Sequence, residues 1–152
     1  MDKLTAQRLG GALMHQHGLV VQCWHFKLDK AKTRCGICYH SLRTIALSTD
    51  YVTLNSEELI RDTILHEIAH ALRGPEHGHD IVWEMKAKSI GSSGQRCKSE
   101  NEVIVATAPW EAVCPGCNRT CHAYRRPKTP RSCGVCNPGH YDTRFLLTYH
   151  KT

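Results

Sequence analysis

Apolar positions between residues 56 and 73 recur with the period of a helix. Ile60, Ile64, Ile68 and Leu72 fall every four residues and Leu65 joins them, defining an apolar face roughly 100° wide. Arg61 intrudes on that face only in the first turn. Asn55 and Ser56 are both candidate N-caps, and Asn55 with Glu58 matches a capping box. Glu57, Glu58 and Asp62 fall early, where carboxylates suit the positive end of the helix dipole. Gly74-Pro75 ends the segment. Upstream, residues 3–17 carry Leu4, Leu9, Leu13 and Met14 at helical spacing, although Gly10-Gly11 weakens that helix. Residues 20–28, 34–39 and 43–48 read as three short strands between polar turns. A further helix is expected at 83–90, closed by Gly91-Ser92-Ser93-Gly94, which marks a connection rather than a long linker. Residues 110–113 and 144–149 read as strands of a small C-terminal module.

The long helix carries His66-Glu67-Ile68-Ala69-His70. Residues four apart lie one turn above each other, so both imidazoles can reach one metal ion away from the apolar stripe. Glu67 projects beside that ion, where a carboxylate can take a proton from a water the metal holds. The motif is short enough to recur by chance, and its helical context argues for it. A catalytic zinc takes a third protein ligand and leaves a fourth position open. Glu76-His77-Gly78-His79-Asp80 offers candidates just downstream. The metzincin spacing fails, because Arg73 and Glu76 stand where it needs Gly and His. A distant carboxylate of the thermolysin type would fall to Glu84.

Residues 13–90 resemble the SprT-like metallopeptidases. The resemblance rests on blocks in order: Trp24 at the end of a strand, Arg34-Cys35-Gly36-Ile37-Cys38 for a G-x-C strand, and Ile45-Ala46-Leu47-Ser48 for an I-x-L-S strand. His66-Glu67-Ile68-Ala69-His70-Ala71 follows, then Gly78-His79-Asp80-Ile81-Val82-Trp83 for the segment G-H-G-x-x-[FW]. Asp80 departs from the usual Gly, and Trp83 matches the aromatic. The resemblance implies His79, rather than His77, as third zinc ligand and Glu67 as catalytic base. It also implies an α+β zincin-like domain and a substrate among DNA-associated or DNA-crosslinked proteins.

A second metal pattern lies near the C-terminus. Cys114-Pro115-Gly116-Cys117 is followed after fifteen residues by Cys133-Gly134-Val135-Cys136. Two C-x-x-C knuckles can present four thiolates to one zinc, and Pro115, Gly116 and Gly134 suit the tight turns. Such a zinc folds a small domain rather than catalysing. SprT-like proteins often carry a ribbon of this kind. Cys121 and His122 are spare donors. Cys35 and Cys38 form a third C-x-x-C with no matching pair beyond scattered Cys23 and Cys97, which favours packing in the core.

Charge is unevenly placed. The 152 residues carry net +6. Residues 1–113 hold 13 basic and 13 acidic side chains, whereas residues 114–152 hold 7 against 1. Arg119, Arg125, Arg126, Lys128 and Arg131 cluster between the knuckles with Tyr124 among them, which suits a phosphate backbone and an unpaired base. The length allows one moderate core plus a metal-stabilised module. No apolar run has the length of a signal peptide or membrane span, and an odd cysteine count with metal spacing argues against a disulfide scaffold. The expectation is a monomeric intracellular protein in a reducing compartment, binding one catalytic and one structural zinc. Its domains are a zincin-like one over 1–96, then a connection and Cys₄ ribbon over 97–152. It would cleave protein substrates and engage DNA. The competing reading is a nucleic-acid-binding zinc protein whose zincin domain is regulatory or non-proteolytic. A deformylase-like hydrolase would need Cys35 or Cys38 as third ligand in place of His79.

Overall fold

The computed structural model describes residues 1–96 and 103–152. Residues 97–102, Cys97 among them, lie outside the described residues. The chain divides into two compact units, Met1–Ala106 and Thr107–Thr152. The first unit extends past residue 96 because residues 103–104 return to it. Val103 packs on its core. The carboxamide of Asn55 donates to the Ile104 carbonyl and accepts from the Ile104 amide, both at 2.8 Å.

Helix α1 (Lys3–Gln16) starts at Asp2, whose carboxylate accepts the Thr5 amide at 2.9 Å. Gly10 weakens the helix locally but answers a packing demand. A Cβ there would sit 2.5 Å from the Phe26 ring, whereas Gly11 faces open space. The strand expected from residue 20 begins later. Val20–Gln22 forms one 3-10 turn, and Cys23 takes a left-handed φ of 61°. Trp24 therefore precedes the first strand rather than ending it, and it is buried.

Strands β1 (His25–Asp29), β2 (Gly36–Tyr39) and β3 (Thr44–Ser48) form a sheet in the order β1-β3-β2. The central β3 runs parallel to β1 and antiparallel to β2, and all five of its residues are buried. The register places Phe26, Ile45 and Cys38 in one row and Leu28, Leu47 and Gly36 in the next. Alternation along a strand puts both rows on the same face.

A six-residue helix, α2 (Thr49–Leu54), follows directly, capped by Ser48. It is too short to announce itself by periodicity. Asn55 ends α2 and does not cap the next helix. Ser56 does, accepting the Leu59 amide at 3.4 Å at the start of α3 (Glu57–Arg73). Ile60, Ile64, Leu65 and Ile68 of α3 join Leu13 and Met14 of α1, Ile45 and Leu47 of β3, and Tyr51 and Val52 of α2 in the main core. Gly74, with φ +90°, stops the helix. Helix α4 (Ile81–Ser89) starts at Asp80, which accepts the Trp83 amide at 2.9 Å. Trp83 and Ala87 pack on Ala69 of α3.

In the second unit β4 (Trp110–Val113), β5 (Thr120–Ala123) and β6 (His150–Lys151) form an antiparallel sheet in the order β5-β4-β6. The strand expected over 144–149 is replaced by a 3-10 turn at Thr143–Phe145, because the Asp142 carboxylate captures the Arg144 amide at 2.9 Å. The core is small: Ala112, Cys114, Cys133 and Leu147, flanked by Phe145 and Tyr149. A core of this size needs a further staple to hold a fold. No helix among the described residues is long and apolar enough to cross a membrane.

The two neighbouring glycines of α1 should respond oppositely to alanine. Gly11→Ala gains helix propensity with nothing to strike, and stability should rise by about 0.5–1 kcal/mol. Gly10→Ala meets the Phe26 ring and should lose about 1–3 kcal/mol through overpacking. Urea denaturation of the two variants reads the difference, and equal shifts would contradict the packing described.

Candidate metal and catalytic site

The spacing of α3 sets the site. With Ile64, Leu65 and Ile68 turned into the core, His66 and His70 emerge one turn apart on the rim of a cavity of about 1050 Å³. The loop after α3 returns His79 between them. Its Nε2 lies 3.0 Å from Nε2 of His66 and 3.1 Å from Nε2 of His70. An imidazole nitrogen is either a donor or an acceptor, so His79 Nε2 cannot serve both neighbours well by hydrogen bonds alone. One cation shared by the three nitrogens resolves that conflict. Zn–N bonds of about 2.0–2.1 Å in tetrahedral array would set nitrogens roughly 3.3 Å apart, near the spacing found.

Electrostatics prepare the same ligands. Burial, with the neighbouring imidazoles, pushes His66 down to about 4. His70 is also pushed down to about 4, first by burial and then by His79. His79 is lowered by burial and by the nearby Arg96 cation. All three rings are therefore neutral near pH 7, the form that binds metal. Opposing contributions come from the ring contacts of His66 with the Gln95 backbone and of His70 with the His77 backbone. Such outer contacts fix tautomer and ring orientation.

Trp83 forms the floor. Its ring centre lies 4.5 Å from that of His66, 5.1 Å from His70 and 4.6 Å from His79, and its indole N–H reaches the His66 carbonyl at 3.4 Å. Beside the triad, Glu67 is 7% exposed and burial raises its carboxyl to about 7, with Arg34 pulling the other way. A carboxyl near neutrality is well placed to accept and return a proton. Gly36 makes room for it. A Cβ at Gly36 would lie 2.9 Å from Glu67 Oε1 and 3.2 Å from Thr63 Cγ2. Arg34 is itself paired with Asp29 and donates to the Tyr39 hydroxyl oxygen at 3.3 Å.

Residues 11–103, more than half of the chain, match the model of the SprT-like family. The chain belongs to the SprT-like family. Comparison with curated proteins finds no match. Among solved structures, the chain is similar to the metallopeptidase zymogen jannalysin of Methanocaldococcus jannaschii, at 18% identity and a TM-score of 0.48, over 64% of this chain and 85% of that one. Membership of the SprT-like family supports a metallopeptidase.

Within this SprT-like chain, the other sequence candidates sort clearly. His77 lines the cavity, but its Nδ1 lies 2.8 Å from the Asp80 carboxylate and it stands outside the triad. Glu84 is committed to Lys88 at 2.6 Å. Cys35 and Cys38 pack against the core and also line the cavity, Cys38 with its thiol pushed up to about 12 by burial and by Glu67. Neither thiol joins the three convergent imidazoles, which disfavours the deformylase-like arrangement. Trp83 was visible only as a matching aromatic; its contact with three imidazoles could not be read from spacing. Gly36 likewise appeared as a motif letter without its reason.

In the second unit, Cys114, Cys117, Cys133 and Cys136 converge, with sulfurs 3.6 Å apart for Cys114–Cys136 and 3.8 Å for Cys117–Cys133. Tetrahedral zinc with Zn–S near 2.3 Å would separate them by about 3.8 Å. Backbone N–H groups of Cys136 and Val135 hold the Cys133 thiol down, to about 6, while burial and the neighbouring thiols push Cys136 up to about 12. Gly116 is required at its knuckle, where a Cβ would meet the Phe145 ring at 2.6 Å. Arg119, Arg125, Arg126, Lys128 and Arg131 are exposed and Tyr124 is half-buried. The Arg126 guanidinium lies 5.7 Å from the centre of the Trp110 ring. Cys121 is half-buried beside the quartet, and His122 faces Glu111 at 3.9 Å.

The triad makes a metal-binding prediction. His79→Ala should weaken zinc binding at this site by on the order of 10²-fold or more, whereas His77→Ala should leave it nearly unchanged. Competition against a chromophoric chelator measures both, and the reverse ranking would move the third ligand to His77.

Proposed function

We propose that the chain is a zinc-dependent metalloendopeptidase acting on DNA-associated or DNA-crosslinked proteins. The observation that carries the hydrolytic part is the buried Glu67 carboxylate set against three convergent imidazoles at the edge of a large cavity. His66, His70 and His79 would hold the zinc. When bound, zinc polarises a scissile carbonyl and lowers the pKa of water towards neutrality. Glu67 takes a proton from the attacking water as oxygen adds to the carbonyl carbon. It then delivers that proton to the amide nitrogen as the C–N bond breaks, so that acid and amine products leave. Trp83 keeps the three rings in place during the cycle. Among the described residues, strand β2 is an edge of its sheet and lines the cavity through Gly36, Ile37 and Cys38, a place that suits an extended peptide added as a further strand.

A regulatory zincin domain would have no use for a carboxylate buried at this place, which is why the catalytic reading is preferred over the binding-only one. The preference for DNA-associated substrates rests on the charge partition and on the exposed cations around Tyr124 and Trp110 in the second unit. The Cys₄ cluster would hold a structural zinc there, and the cations would meet phosphates.

Glu67→Gln keeps the shape of the side chain and removes its basicity. Proteolysis of an unfolded protein such as casein should fall by about 10²–10⁴-fold while zinc content stays that of the parent. Residual activity within tenfold would dismiss Glu67 as the base.

Replacing Arg125, Arg126 and Lys128 together by Ala should remove about three phosphate contacts. The slope of log affinity against log salt for DNA should become shallower by roughly two to three units, at about 0.7–0.9 per contact. Cleavage of free casein should be unaffected, and cleavage of a DNA-bound protein should drop. An unchanged slope in fluorescence anisotropy would make the second unit a structural or protein-binding module.

A further inference from the structure

Asp62 lies on α3 one turn before His66 and takes no part in the chemistry above. Its carboxylate nevertheless collects three hydrogen bonds from a segment thirty residues away. Oδ1 accepts the Ser92 hydroxyl at 2.8 Å and the Ser93 amide at 2.6 Å, and Oδ2 accepts the Ser93 hydroxyl at 2.8 Å. The two hydroxyls are used again, because Ser92 Oγ accepts the Gly94 amide and Ser93 Oγ the Gln95 amide, each at 3.4 Å. Ser92 is buried, and its own amide returns to the Ala87 carbonyl at 2.9 Å, tying the segment to the end of α4. Gly91 and Gly94, with φ of +94° and +70°, supply the left-handed turns the path requires. The next two residues, Gln95 and Arg96, line the cavity with His66, Glu67 and His79.

The geometry points to Asp62, acting through Ser92 and Ser93, as a positioning residue for the metal ligand His66. The clamp fixes Gln95 and Arg96 in the cavity wall that they share with His66, and so helps to keep its Nε2 facing His70 and His79. Gln95, which follows the clamp directly, shares the cavity wall with His66, and groups around a ligating histidine set the orientation of its ring. A carboxylate bonded to a hydroxyl, an amide and a second hydroxyl is a stiff connection, because charged acceptors make the stronger hydrogen bonds. This inference rests on the zinc reading of the triad and adds residues to it.

The test is a metal titration on the full chain, stripped with chelator and refilled with Co²⁺ or Zn²⁺. Thiolate ligation adds charge-transfer bands in the near ultraviolet and moves the visible d–d bands to longer wavelength, so the shorter-wavelength d–d bands report the histidine site and the charge-transfer bands the cysteine site. Asp62→Ala should weaken metal binding at the histidine site by about 10–100-fold and alter its d–d bands, leaving the cysteine site as in the parent. Asp62→Asn retains an acceptor oxygen and should recover part of that loss. Ser93→Ala, which removes one hydroxyl, gives a smaller loss of the same kind and keeps the question open to measurement should Asp62→Ala fail to fold. Leu13→Ala, in the α1 side of the core, serves as the stability control. It should lower the melting temperature at least as much as Asp62→Ala, with metal affinity within twofold of the parent. Affinity within twofold for Asp62→Ala and Ser93→Ala overturns the positioning role, as does an equal loss in Leu13→Ala. A parent that fails to bind metal at the histidine site overturns the zinc reading itself, and this inference with it.

Discussion

Two half-buried imidazoles and a buried carboxyl must lose much of their water without being stranded, beside a third imidazole that stays exposed, and the first unit is organised around meeting that demand. Burial disfavours every charged form at the site, which lowers His66 and His70 to about 4 and raises Glu67 to about 7. Those shifts leave the histidines neutral and the carboxyl poised, the states that metal binding and proton transfer require. The cost of desolvation is offset by packing on Trp83 and by backbone contacts to the rings, and a metal held by the three nitrogens would offset it further. Helix α3 can carry this load only because its opposite face, through Ile60, Ile64 and Ile68, is fully buried in the main core.

Several features that look like weaknesses in isolation follow from the same demand for close approach. Gly10 lowers the helix propensity of α1 yet lets α1 lie against Phe26 of β1, and Gly36 lets β2 pass beside Glu67. A side chain at either position would push an element away from the sheet or from the Glu67 carboxylate. Asn55 is a buried amide, ordinarily a liability, but both its polar ends are satisfied by Ile104 and one by Tyr51 as well. It holds the chain that follows residue 102 to the first unit.

The second unit solves a different problem by similar means. Four buried side chains and two flanking aromatics provide too little apolar burial for a fold of this length, so the sulfur cluster supplies the constraint. Its backbone N–H groups hold the Cys133 thiol down. With the interior occupied by cysteines, the excess positive charge is left on the exposed loop between the knuckles.

The sequence by itself determined the periodic helix with its two histidines and glutamate, the paired C-x-x-C knuckles, the three strands in outline, and the charge partition. Each of these is a local pattern with a fixed physical period or turn chemistry, so it survives without knowledge of the fold. Local patterns misplaced the start of β1 and the strand expected at 144–149, missed the short α2 and left Asn55 and Ser56 both open as the N-cap of α3, because single side chains such as Asp142 and Ser56 decide element ends. Spacing alone left His77 and His79 open, the family resemblance implied His79, and the tertiary structure brings the His79 ring to the other two. His77 and His79 differ by two residues, and sequence distance says nothing about which ring the return from α3 aims inward. The tertiary structure also decided that Gly36, Trp83 and Asp62 belong to the site, since contacts between residues far apart in the chain depend on how the sheet, α3 and α4 pack.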